Sequence, residues 1–271
     1  MLAAALGQVP AVRADGQRSV LGVAPLAETV GSGGPRGGAA EAIPVLEALA
    51  GLVPGGVRRG DAVSVASRGL ACDYVALALL AGALAAGLWC AAVGVPELGG
   101  LALADLAAGE ADGQGARGAA LDRLVLAPEP GERWAEVVSA LADGVDLVLV
   151  RPSSPVRAEV GRRVDARLRQ GRSEGTRHSA VLVVLGAWSS ARLVLRTAET
   201  VWSGLDGVGP TRGTGRLTGA VSVVLAEGRA TGGRPRTARV WLPSVDGSAR
   251  PIDDAQNTGR AAGESRLRVV A

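Results

Sequence analysis

Residues 63–80, "VSVASRGLACDYVALALL", set a short β-rich run, a loop of small residues and an apolar helix in succession. Strand, phosphate-binding loop and helix follow in this order in nucleotide-binding proteins, where backbone N–H groups and a helix N-terminus meet the phosphates. A working loop needs glycines so that the backbone can come close, a lysine to meet the negative charge, and a Ser or Thr hydroxyl for Mg²⁺. The order G-x-x-x-x-G-K-[ST], laid over this stretch, puts Ser67 at the first glycine, Cys72 at the second, Asp73 at the lysine and Tyr74 at the hydroxyl. None of the four fits. Asp73 is the most damaging, because like charges about 4 Å apart repel by about 4 kcal/mol at an effective dielectric of roughly 20. Cys72 adds a Cβ where the backbone must approach, and Tyr74 brings a ring where space is small. A loop that only joins a strand to a helix carries the same residues, so this stretch alone leaves both readings open.

The rest of the chain limits what such a loop can belong to. With 271 residues, 48% hydrophobic and 20% charged, it can bury a substantial core as one large domain, or a domain plus tails. It has no Phe, one Tyr and five Trp, so Ala, Val and Leu must fill the core. All 29 cationic side chains are Arg, and the formal charge of +3 does not by itself signal a nucleic-acid binder. Cys72 and Cys90 are too few for a disulfide framework and form no metal-spaced cluster, which fits a reduced, cytoplasmic setting. The N-terminus lacks a basic region before its short apolar patch, so it does not read as a secretory signal.

Residues 75–95 run without a charge and pass the length test for a membrane span, which keeps a membrane-associated protein as an alternative. The preferred reading divides the run at Gly87 into a buried helix and a buried parallel strand, both covered on every side.

Strands and helices then alternate along the chain. A Gly-rich linker, "GSGGPRGG" at 31–38, precedes the body. Strands are expected at 61–65, 88–95, in "LDRLVLAPE", at 145–152 and at 179–188, with helices from about 74 to 86 and in "ERWAEVVSALADG". The Gly-rich insert at 107–120 reads as a surface loop. Val156, Val160, Val164 and Leu168 recur every four residues and make one apolar helix face, with Arg157, Arg162, Arg163, Arg167 and Arg169 on the others. This alternation implies an α/β fold with a twisted, mostly parallel sheet covered by helices on both faces. From residue 190 alternating runs between Gly and Pro turns predict antiparallel strands at the C-terminal edge. The expected division is an N-terminal helix and extended segment at 1–30, the linker at 31–40, the core at 41–245 and a disordered tail at 246–271.

Over residues 2–245 the sequence resembles bacterial RecA recombinases. "LAAALGQ" is followed by "SVLG" at that family's spacing, and "GGVRRGDAVSV", "GLWCAAVGVPE", "LDRLVLAPEPGERWAEVVSALADGVDLVLV" and "AVLVVLGAW" follow in its order. The resemblance implies a RecA-like P-loop-type core, and it also marks losses. Arg151 stands where the family has a Mg²⁺-supporting Asp, Pro96 where it has a catalytic carboxylate, with Glu97 one position late, and Ala187 where it has a γ-phosphate sensor. The connections that form DNA-contacting loops in the recombinases are short or helical here. The expectation is therefore a chain that is not an enzyme and holds no nucleotide, cofactor or metal. An ATP-dependent recombinase or DNA-binding protein is the alternative.

Without nucleotide chemistry or long DNA loops, the chain resembles the ImuA-type accessory proteins of actinobacteria through "LDRLVLAP", "GVDLVLVRP", "VLVVLGAW" and "TARVWLP". That resemblance implies an adaptor in SOS-induced mutagenesis and translesion synthesis. Its partners would be a Y-family polymerase-like protein, an error-prone DNA polymerase and RecA. Leu2 and Leu6 are the candidate partner-binding residues, on a helix that would dock on another RecA-like core. Arg162, Arg163, Arg167 and Arg169 are candidates for weak, sequence-blind contact with a phosphate backbone. His178 reads as a surface residue.

Overall fold

A computed structural model describes residues 42–66, 70–109, 118, 120–173, 179–205, 215–252 and 267–270. Leu2, Leu6, Ser67 and His178 lie outside these residues, as do the N-terminal segment and the linker.

Five short parallel strands form one side of the sheet: β3 (Ala62–Val65), β4 (Cys90–Val93), β5 (Leu124–Ala127), β6 (Leu147–Val150) and β7 (Val181–Leu185). β3, β4 and β6 are buried at every position, as continuous apolar runs require when helices cover both faces. Two long strands, β8 (Leu193–Leu205) and β9 (Gly215–Glu227), form an antiparallel pair with β10 (Arg236–Trp241) beyond them. With β11 (Arg250–Pro251) at the far edge, the order across the sheet is β11-β10-β9-β8-β3-β7-β6-β4-β5. The strand that leads into the phosphate-type loop thus lies centrally, between β7 and β8. The expected α/β fold, a mostly parallel sheet covered by helices on both faces with antiparallel strands at the C-terminal edge, is the fold observed.

Along each buried strand, alternate residues serve opposite faces. On one face Leu147, Leu149, Val181 and Val183 pack with helices α1 (Glu47–Ala50), α2 (Leu70–Ala85) and α3 (Gly100–Ala108). On the other, Val148, Val150, Leu182 and Val184 pack with α4 (Trp134–Leu141) and α5 (Ala158–Ser173). Within α2 every residue from Val75 to Leu84 except Gly82 is a buried apolar residue, which explains its uninterrupted apolarity. The uncharged run at 75–95 is α2 followed by β4, and among the described residues no helix is long and apolar enough to cross a membrane.

Several boundaries differ from the sequence expectation. α2 begins at Leu70 rather than near 74, so Cys72 and Asp73 belong to its first turn. Helix α3 was not anticipated. Its stretch, "GLALADLAA", starts with Gly and is too short for a clear period, and its buried residues Leu103, Ala104 and Leu106 are mixed with exposed ones. A small hairpin of β1 (Ala42–Ile43) and β2 (Val57–Arg58) also went unread, because two-residue strands leave no pattern. The segment 246–271, expected to lack structure, contains β11 (Arg250–Pro251), paired with β10, and β12 (Leu267–Val270), paired with β8. Its polar, Gly-rich composition hid these strands because both are recruited by edges made elsewhere in the sheet.

Candidate functional site

The C-terminal ends of the parallel strands, with the start of α2, form the crevice where an open α/β sheet places its ligands. Short backbone bonds tie these ends together. The Gly186 N–H donates to the Val65 carbonyl at 2.9 Å, the Ala66 N–H to Leu195 at 2.9 Å, and the Arg151 N–H to Val93 at 2.9 Å. The buried Ser64 hydroxyl in β3 donates to the Gly186 carbonyl at 2.6 Å, joining the end of β7 to the loop strand. Gly94, at φ +72°, follows β4. A Cβ there would sit 2.4 Å from the Arg151 carbonyl oxygen, so only glycine lets the ends of β4 and β6 lie this close.

The residues singled out from the sequence fall around this crevice. The Arg151 guanidinium, after β6, forms an ion pair with the Glu97 carboxylate, after β4. The sequence marks these positions as two separate departures from the recombinase pattern, and the fold makes them one feature. Arg151, which the resemblance aligns with a Mg²⁺-supporting Asp, has its charge met by Glu97, the carboxylate that the same resemblance marks as one position late. Pro96 and Ala187 are exposed and bring no polar side-chain group to the crevice. Both members of the ion pair keep access to solvent, so it contributes at most about 1 kcal/mol to stability.

Tyr74, at the hydroxyl position of the loop pattern, points its ring at Trp202 of β8, edge-to-face with centroids 5.8 Å apart. Burial pushes the Tyr74 phenol above its usual range. Tyr74 therefore serves as an aromatic contact between α2 and β8. Ser67 is outside the described residues. For Cys72 and Asp73 only the helical backbone is described.

Sequence reasoning missed Asp165. This carboxylate lies on α5, buried beneath the β7–β8 connection, and accepts the Trp188 indole N–H at 3.0 Å and the Ser190 hydroxyl. Trp188 also meets Trp134 of α4 edge-to-face at 6.5 Å. The short "WSSAR" connection is thus fastened to α5. An acidic residue inside a Val/Leu stripe, four residues from Gly161, was the available signal.

The apolar stripe is observed on α5, with Val164 and Leu168 buried and Val160 half-buried, while the half-buried Val156 lies just before the helix begins. Arg162, Arg163, Arg167 and Arg169 are all exposed. Arg163 pairs with Glu159 at 3.3 Å, and Arg167 pairs with Asp143. Two of the four candidate phosphate contacts therefore already face carboxylates, which lowers the positive potential of that face.

Cys90, in β4, is buried. Burial first, and the Asp146 carboxylate second, push its thiol well above the usual range, so it stays protonated and unreactive. Among the described residues no group of three or more His, Cys, Asp or Glu side chains is placed to hold a metal.

Comparison with known proteins bears on the same region. Rv3395c of Mycobacterium tuberculosis, an uncharacterized protein, is 35% identical over 160 residues, which cover 56% of this chain and 68% of that protein. Among solved structures, the RadB recombinase is similar with a TM-score of 0.49 and 18% identity, over 76% of this chain and 97% of the other. The flagellar accessory protein FlaH from Methanocaldococcus jannaschii has a TM-score of 0.48 and 12% identity, over 79% and 100%. Neither structural likeness assigns an activity. The family model described as the MT3502 N-terminal domain matches residues 51–190, from the turn before β2 to the loop after β7 and so across the whole crevice, and the chain belongs to that family.

Proposed function

We propose that this chain is a non-catalytic RecA-like adaptor in SOS-induced translesion synthesis and mutagenesis. It bridges a Y-family polymerase-like partner, an error-prone DNA polymerase and RecA, in the cytoplasm. The observation that carries the non-catalytic part is the Arg151–Glu97 ion pair. At the place where a recombinase needs a carboxylate facing Mg²⁺, a guanidinium repels the ion, and the nearest carboxylate is already satisfied by it. Asp73 at the lysine position adds repulsion toward a triphosphate.

The adaptor role and its partners rest on the resemblance of "LDRLVLAP", "GVDLVLVRP" and "VLVVLGAW" to the ImuA-type accessory proteins. Leu2 and Leu6, outside the described residues, are the proposed docking residues. The Arg face of α5 would add only a weak, salt-sensitive contact with DNA.

Two measurements test the reading. Calorimetric titration with Mg-ATP at micromolar concentrations should give no binding heat, and saturable binding would return the chain to the ATP-dependent recombinases. Affinity purification of the chain from DNA-damaged cells should recover the two polymerase partners, and a chain lacking residues 1–30 should lose them. Recovery of neither polymerase would overturn the adaptor.

A further inference from the structure

β8 is far longer than its parallel neighbour. β9 pairs with it from Val194 to Leu205 and takes one edge. On the other edge β3 reaches only from Leu193 to Leu195, and the Ala66 N–H makes the last bond, to Leu195. A register shift between Thr197 and Glu199 follows. Beyond it, the same edge is occupied by β12, antiparallel, with Leu267 opposite Trp202 and Val270 opposite Glu199. β12 therefore continues the line of β3 past the point where the chain turns off toward α2. The stretch it covers includes Trp202, whose ring meets Tyr74.

We propose that Glu199–Trp202 of β8 is a strand-acceptor site past the end of β3, and that its occupant is this chain's own strand β12, Leu267–Val270, held in cis and displaceable. An uncovered strand edge presents unpaired N–H and C=O groups and pairs with any extended segment that reaches it. Here the sheet creates such an edge, because a four-residue strand lies beside a thirteen-residue one. The cis assignment follows from reach. Arg250 of β11, Trp241 of β10, Val221 and Ala220 of β9, Trp202 of β8 and Leu267 of β12 lie in one row across the sheet. Four strand spacings make that row about 19 Å wide. Residues 253–266 join its ends, and a segment of that length extends to about 50 Å. The segment between β11 and β12 is therefore long enough for the chain's own tail to reach its own β8. The site does not depend on the adaptor reading, since it follows from the sheet alone.

Hydrogen exchange on the full-length chain tests this. In an Arg268→Pro/Val269→Pro variant, which removes the one N–H of the two that faces β8 and puts a second proline ring in the strand, exchange at the amides of Glu199–Trp202 that point away from β9 should rise about tenfold. Amides of β8 that β3 holds should stay protected, which shows that the variant is folded. If they do not, the single Val269→Pro variant is measured in the same way. A synthetic peptide of residues 265–271 should then restore protection in the variant and leave the intact chain unchanged. Unaltered exchange in the variant, or equal peptide protection of both chains, would overturn the proposal.

Discussion

At the residue scale, several polar and aromatic side chains of the chain act on each other. Arg151 and Glu97 meet across the ends of β6 and β4, and Tyr74 turns to Trp202. Asp246 is likewise held by its neighbours in the turn before β11. There the Ser244 hydroxyl, then the Ser248 hydroxyl and N–H and the Arg250 guanidinium, hold its carboxyl down to about 2 against the opposing effect of burial. The clearest case for mutation is Asp165. Asp165→Ala would leave the buried Trp188 indole N–H without its acceptor, and an unsatisfied buried donor costs about 1–3 kcal/mol. Asp165→Asn keeps one carbonyl acceptor and should lose less. Denaturant midpoints of the two variants check this order, and an alanine variant as stable as the parent would show that the carboxylate does not fasten the β7–β8 connection. The sequence revealed the departures at 73, 96, 151 and 187 because each occupies a fixed place in a motif. It could not reveal the Arg151–Glu97 pair or the Asp165 anchor, because both depend on which strand ends and helices become neighbours in space.

At the element scale, legibility followed pattern length. The stripe Val156, Val160, Val164 and Leu168 predicted α5 to within a residue or two, because three repeats of a helical spacing admit one explanation. The long alternating runs gave β8 and β9 for the same reason. Short elements such as α3, β1, β2, β11 and β12 exist because a neighbour supplies what their own sequence lacks. The stripe carries a measurable load. Leu168 is almost wholly buried against the second face of the sheet, and its backbone carbonyl accepts the Ser179 hydroxyl at 2.8 Å, at the entry to β7. Leu168→Ala should cost about 2–5 kcal/mol, the usual range for a buried leucine truncated in a packed core. Arg162→Ala, on the exposed side of the same helix, should stay within about 0.5 kcal/mol. Urea denaturation of the pair measures the contrast. Equal effects would mean that α5 is not seated through its apolar face.

At the scale of the whole molecule, the two hydrophobic clusters share their strands residue by residue. Leu147 and Leu149 of β6 serve one face while Val148 and Val150 serve the other, and β7 divides in the same way between Val181 and Val183 on one side and Leu182 and Val184 on the other. Neither layer of helices can detach without exposing the back of strands that the other layer needs, so the two faces cannot unfold in separate steps. The long β8–β9 pair is joined to this unit through β3, which lies between β7 and β8. The tryptophans sample both faces: Trp134 and Trp188 pack with α4 and α5, whereas Trp202 meets Tyr74 of α2. Equilibrium unfolding in guanidinium should therefore show one transition, with tryptophan fluorescence and far-ultraviolet circular dichroism coinciding in midpoint and slope. A Trp202→Phe variant, which silences the reporter on the α2 side, should keep the two probes coincident even if the midpoint moves. Separate midpoints for the two probes in that variant would mean that the α4–α5 face melts on its own, and the shared-strand account of stability would fail.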